Sequence, residues 1–195
     1  MTDDTPPATP KDQVADAALL VMLREGIEGA GLRAIAREAG CTTGLVTHYF
    51  ADRRAVIAYA LDRNTARFFE GLAARSVGAA TGRERLIALM AYMAHAGDPV
   101  SSGVMFRSLA SAPVDTEIAR RLRDAYDRMH TLAHEAVEQG RRDGSLPGGR
   151  PAADAAELAV AAADGLYVAG VVRPEIYPPE RRDALILAAV ATLAT

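Results

Sequence analysis

The chain has 195 residues, half of them hydrophobic, with no Trp and a single Cys, so it can bury a sizeable core but cannot build an internal disulfide framework. Its formal net charge of −3 excludes a uniformly basic coat for nucleic acid, although a local basic patch remains open. A lone Cys fits a reducing compartment, and the acidic, Pro-rich start lacks the features of a signal peptide. No apolar run is expected to reach the length of a membrane span.

Residues 1–10 read as a flexible arm. From Lys11 to Glu25, Val14, Ala17, Ala18, Val21 and Met22 recur at helical spacing, and the helix is expected to end near Gly26. GIEGAG then reads as a loop. LRAIAREAG is a short helix with Leu32, Ile35, Ala36 and Ala39 on one face and Gly40 as its stop. Thr42 is placed to cap a second short helix ending near Phe50, and Asp52 to cap a long one running towards Ser76. Further helices are predicted over Arg83–Ala96, Val100–Ala110, a long stretch after the cap Asp115, Pro151–Val172 and Pro178–Leu193. Breaks are marked by GDP, Pro113, GSLPGGRP and RPEIYPP. The pattern contains no strand alternation and no repeat. The predicted architecture is all-α, with about nine helices.

The segment that carries chemistry is GCTTGLVTHYF, residues 40–50. Two short helices joined at an Ala/Gly turn meet the steric need of a helix-turn-helix, because small residues let the helices approach closely at a steep angle. Leu32, Ile35, Leu45, Val46 and Phe50 would form a mini-core. Thr43, Gly44, Thr47 and His48 would face outward, free to enter a major groove. Gly44 would let the backbone come close to DNA, and Arg53 and Arg54 would add positive charge beside the site.

These residues resemble the TetR family of transcriptional regulators. VADAALLVMLREG and IAREAGCTTGLVTHYFADRRAV match the family's N-terminal patterns without a gap from Val14 to about Ala60. Thr47–His48–Tyr49–Phe50 is similar to the BetI branch, and AADGLYVAGVVRPE resembles a C-terminal helix of that branch. The resemblance implies a DNA-binding head over residues 11–57 and a ligand-binding and dimerisation body over 58–195. It implies contacts to double-stranded operator DNA from Arg33, Thr42, Thr43, Gly44, Thr47, His48, Tyr49 and Arg53, and a homodimer across a palindrome. It further implies release by a small-molecule effector and no cofactor. Two departures stand out. Ala30 and Gly31 occupy positions where the family often has a capping Thr, and Cys41 replaces a common Val.

Effector contacts are expected from Met90, Met93, Phe106, Arg107, Tyr126, Met129 and His130, because Met adapts to varied apolar guests beside Phe106, and Arg107, Tyr126 and His130 add polar handles. The dimer interface is expected from Ala159, Ala162, Leu166, Ala169, Leu187 and Val190 on the last two helices, where small side chains allow close contact. Asp164, in an Ala-rich helix, reads either as a ligand contact or as a structural partner. His130 and His134 stand four apart, but HTLAHE lacks the Glu of a zinc-protease motif, so no metal site is expected. The competing class, an all-helical enzyme or carrier without a DNA role, finds no catalytic or phosphate-binding motif in its favour.

Overall fold

The computed structural model describes residues 9–95, 97, 99–113 and 115–193, so the expected arm over 1–10 lies almost wholly outside the described residues. Among the described residues there are nine helices and no strand. They are α1 (Pro10–Gly29), α2 (Leu32–Glu38), α3 (Thr43–Tyr49), α4 (Arg53–Arg75), α5 (Gly82–Ala94), α6 (Pro99–Ser111), α7 (Thr116–Arg142), α8 (Ala152–Val172) and α9 (Pro179–Leu193). The chain divides into two compact units, residues 1–67 with 103–121 and residues 68–102 with 122–195.

In the first unit α1 begins with a capping box. Thr9 Oγ1 accepts from the Asp12 N–H at 3.2 Å, and the Asp12 carboxylate accepts from the Thr9 N–H at 3.2 Å. Val14, Ala17, Ala18, Val21 and Met22 are all buried, as their spacing predicts. The predicted loop after Gly26 proves instead to be a break in a helix that resumes. Gly26 adopts φ 77°, a conformation open to glycine, and helical turns continue to Gly29. Gly31 offers α2 no side-chain cap. At the other end Gly40 takes φ 63° and the Cys41 N–H bonds back to the Ala36 carbonyl at 2.9 Å. Thr42 Oγ1 caps α3 by accepting from the Leu45 N–H at 3.2 Å. The three helices pack on one another, with Ile35, Ala36, Val46 and Phe50 buried.

Charged pairs fix α4 against α1. Tyr59 donates to Asp12 at 2.9 Å, Arg63 reaches Asp12 at 3.0 Å and Asp16 at 3.2 Å, and Arg67 reaches Asp16 at 2.7 Å. Burial opposes ionisation of Asp12. The hydrogen bonds from Thr9 and Tyr59 and the Arg63 charge outweigh it, and hold the carboxyl below its ordinary range. A carboxyl lowered in the folded state contributes stability above its unfolded pKa and loses it as pH falls through the folded one. Unfolding by denaturant at pH 6 and at pH 3 should therefore show an acid loss that Asp12→Asn reduces. An equal loss in the variant would mean that other carboxylates govern it. At the start of α7, Arg121 spans Asp62 of α4 at 3.0 Å and Glu117. Hydrogen bonds from Arg120 and Arg121 lower the Glu117 carboxyl to about 2.

In the second unit α5, α8 and α9 pack together. α5 starts with a second capping box, Thr81 with Glu84. Its first residue, Gly82, donates to Asp143 Oδ2 at 2.8 Å. α8 corrects one expectation. It is 21 residues long and apolar enough by length and composition to cross a membrane. One side lies against α5 and α9, with Ala155, Ala156, Ala159, Val160 and Ala163 buried, whereas Leu158, Val168, Val171 and Val172 on the other side are exposed.

Candidate nucleic-acid interface and body

The head presents α3 with its side chains divided. Val46 and Phe50 turn inward, while Thr42, Thr43, Gly44, Thr47 and His48 are exposed and Tyr49 is half-buried. Leu45, expected in the mini-core, is 38% exposed instead. A two-turn helix has one narrow inward edge, and Val46 and the cap residue Phe50 fill it. The Thr47 hydroxyl donates back to the carbonyls of Gly44 at 3.1 Å and Thr43 at 3.2 Å, so its methyl and its lone pairs are what it offers outward. His48 and Tyr49 stack edge to face, with centroids 5.0 Å apart. A Cβ added at Gly44 would meet only Thr42 Oγ1, at 3.7 Å. Packing within the chain therefore does not require a glycine there.

Arg33 and Arg37 on α2 and Arg54 on α4 are exposed. Arg53 is not free in the same way. Its Nε donates to the Ala30 carbonyl at 3.0 Å and its NH2 to the Ile27 carbonyl, so the guanidinium caps the end of α1. It closes the turn where the sequence lacks a capping Thr. Sequence spacing showed the positive charge but not its carbonyl partners, which lie 23 and 26 residues away.

In the second unit, Met90, Met93 and Met129 are buried, and Tyr126 and His130 are half-buried. Tyr126 donates to Asp164 Oδ2 at 2.8 Å, and its ring lies 6.3 Å from that of His130. Burial raises the Asp164 carboxyl, with the Tyr126 hydrogen bond and the His130 charge acting against it; burial and the adjacent carboxylate raise the Tyr126 phenol. Phe106 and Arg107 belong to the first unit, so only five of the seven expected effector contacts share a unit. His130 Nδ1 approaches Glu157 at 3.5 Å, and among the described residues no group of three His, Cys, Asp or Glu could hold a metal. The second unit also carries an open cavity of about 300 Å³ between α4, α5 and α7 that no sequence motif marks.

On α8 and α9, Ala159 and Val190, expected at a dimer interface, are buried within the chain itself. Ala162, Leu166 and Ala169 are half-buried and Leu187 is exposed. The exposed small and apolar positions of α8 include Leu158, Ala161, Gly165, Val168 and Val172, spaced alternately three and four apart, and those of α9 include Ala184, Leu187, Ala188 and Ala191. The spacing identified apolar helices but could not choose between two apolar faces of one helix.

Residues 14–60 match the family described as bacterial regulatory proteins, tetR family, and residues 80–195 match the BetI-type transcriptional repressor C-terminal family. The HTH-type transcriptional regulator PksA of Bacillus subtilis is 25% identical over 133 residues, 68% of this chain and 60% of PksA, so the match spans less than two thirds of that relative. A transcriptional regulator from Saccharomonospora viridis, solved in complex with choline, superimposes with a TM-score of 0.82 at 20% identity, covering 93% of this chain and 95% of that one. FadR from Bacillus subtilis, solved with stearoyl-CoA, does so at 0.73 and 18% identity, covering 94% and 97%. At these identities the two structures establish likeness of fold.

Proposed function

Because the chain belongs to the TetR family of bacterial regulators, with a C-terminal body of the BetI type, we propose that it is a ligand-responsive repressor of operator DNA. It binds a palindrome as a homodimer, and a small molecule in its body releases it. The observation that carries the reading is the division of α3, with Val46 and Phe50 buried and Thr43, Gly44, Thr47 and His48 presented to solvent. Such a helix enters a major groove by its outward residues. Thr47 offers a methyl suited to thymine and lone pairs suited to base amines, while His48 offers ring nitrogens. Arg33, Arg54 and Tyr49 would meet phosphates, which fix register while base edges specify sequence. Gly44 leaves room for the backbone to approach the duplex.

The apolar stripes of α8 and α9 support the homodimer. They form a long uncovered apolar face on a charged protein, and a second copy would bury it in a twofold arrangement. Two recognition helices about 34–36 Å apart would then meet successive major grooves. An effector acts by binding better to the state that does not fit DNA. The choline and stearoyl-CoA complexes of two proteins of like fold differ in charge and size, so the class of effector follows from this chain's own residues.

Gel shifts at moderate salt, with footprinting on a palindrome near the protein's own gene, test the reading. Specific binding with two protected half-sites one helical turn apart is expected, and binding indifferent to sequence would refute it. Thr47→Ala or His48→Ala should each weaken specific binding by about 1–3 kcal/mol while leaving non-specific binding unchanged. A variant that retains its full sequence preference would remove that residue from base recognition.

A further inference from the structure

The cavity between α4, α5 and α7 has an uneven lining. Phe69, Leu72, Leu89 and Leu132 supply apolar surface, and Arg85 and Arg128 supply charge. No Asp or Glu lines it, although the whole chain is net acidic. Phe69, Leu72 and Leu89 are buried, so the apolar floor is held by the core of the unit. Arg128 lies over Phe69, its Cζ 3.9 Å from the ring centroid, which holds the guanidinium at the cavity. Arg85 donates one N–H to Gln139 Oε1 at 2.9 Å, a neutral acceptor that orients the fork without neutralising it. Each guanidinium retains donors, and two such forks suit a carboxylate.

We propose that this cavity binds an amphipathic carboxylate, with its head group between Arg85 and Arg128 and its apolar body on Phe69, Leu72, Leu89 and Leu132. The inference rests on the regulatory reading above only in assigning this ligand the role of effector. A cavity of about 300 Å³ corresponds to about ten water-sized volumes at roughly 30 Å³ each. That matches a compact acid with about ten non-hydrogen atoms, such as an eight-carbon chain. A cation of the same size would meet two like charges there, and a neutral alcohol would accept a hydrogen bond but bring no charge to compensate the two guanidinium groups.

The test is calorimetric titration of the full-length protein with octanoate, octan-1-ol and octylammonium as three separate probes. Octanoate should bind once per chain and at least about tenfold more tightly than the other two, the effect of hydrogen bonds to a charged partner. Arg85→Gln and Arg128→Gln should each weaken octanoate by at least about tenfold, with a melting transition confirming that the variant is folded. Arg181→Gln, an exposed arginine on α9 that does not line the cavity, should leave octanoate affinity unchanged. Octanoate binding no tighter than the alcohol or the amine would overturn the proposal without using any variant. Folded Arg85 and Arg128 variants that bind octanoate like the parent would overturn it as well. Operator binding by the ligand-free protein is measured separately, so its loss would count against the repressor reading and leave the cavity assignment standing.

Discussion

Gly82→Ala is expected to cost this protein about 3 kcal/mol of stability, the upper range for overpacking a well-packed site. At about 2–4 °C per kcal/mol for a chain of this size, the melting temperature should fall by roughly 6–12 °C. A methyl at Gly82 would stand 2.0 Å from the Gly140 nitrogen and 2.3 Å from the Ala136 carbonyl oxygen. Both obstacles are backbone, so no side chain can rotate away. The two helices would have to separate, and the separation would stretch the bond from the Gly82 N–H to Asp143 and the one from the Arg83 N–H to Ser145 Oγ, now 3.1 Å. Gly140 is confined too, since a Cβ there would meet Leu146 Cβ at 2.8 Å. The start of α5 and the end of α7 therefore meet at a glycine crossing. Thermal unfolding of the variant, with helix content checked at low temperature, measures the cost. A melting temperature within a degree or two of the parent would mean that α5 and α7 do not approach this closely.

Arg53→Gln should destabilise the protein by about 2 kcal/mol or more, since hydrogen bonds involving a charged group contribute about 1.5–3 kcal/mol each. The guanidinium joins the carbonyls of Ile27 and Ala30 at the exit from α1, a turn that Gly31 leaves without a side-chain cap. Loss of that brace should also weaken operator binding, through misplacement of α2 and α3. A residue acting mainly on a phosphate would behave differently. Its removal would leave stability intact and lower the salt slope of binding by about 0.9. Arg53→Lys separates the two roles. A lysine keeps the charge but not the planar fork, so it should fail to restore the two-carbonyl brace. Full recovery of stability by Lys would show that charge alone is needed.

The head was legible in the sequence because its signals are local. Thr42 caps three residues ahead, Gly40 stops a helix within its own turn, and the spacing of Val14, Ala17, Ala18, Val21 and Met22 repeats within one helix. The body was legible only as helices, because the chemistry of a cavity depends on which side chains converge from distant segments. Arg85 and Arg128 are 43 positions apart, so no motif could join them. Tyr126 and Asp164 meet across two helices, and each alone reads as an ordinary residue of its helix.

The sequence by itself determined the all-α class, the approximate span of most helices, and that the second and third make a helix-turn-helix, although GIEGAG reads as a loop where α1 resumes to Gly29. Hydrogen-bonded caps, glycine backbone freedom and a 3.6-residue period all act over a few residues. Only the tertiary structure decided that Arg53 braces α1, that Leu45 faces outward while Val46 does not, that Gly82 must remain glycine, and that Leu158 rather than Ala159 lies on the uncovered face of α8. The reason is common to all four. Periodicity gives a helix its apolar side to within a residue or so, whereas burial, clash and charge pairing depend on what stands opposite in space.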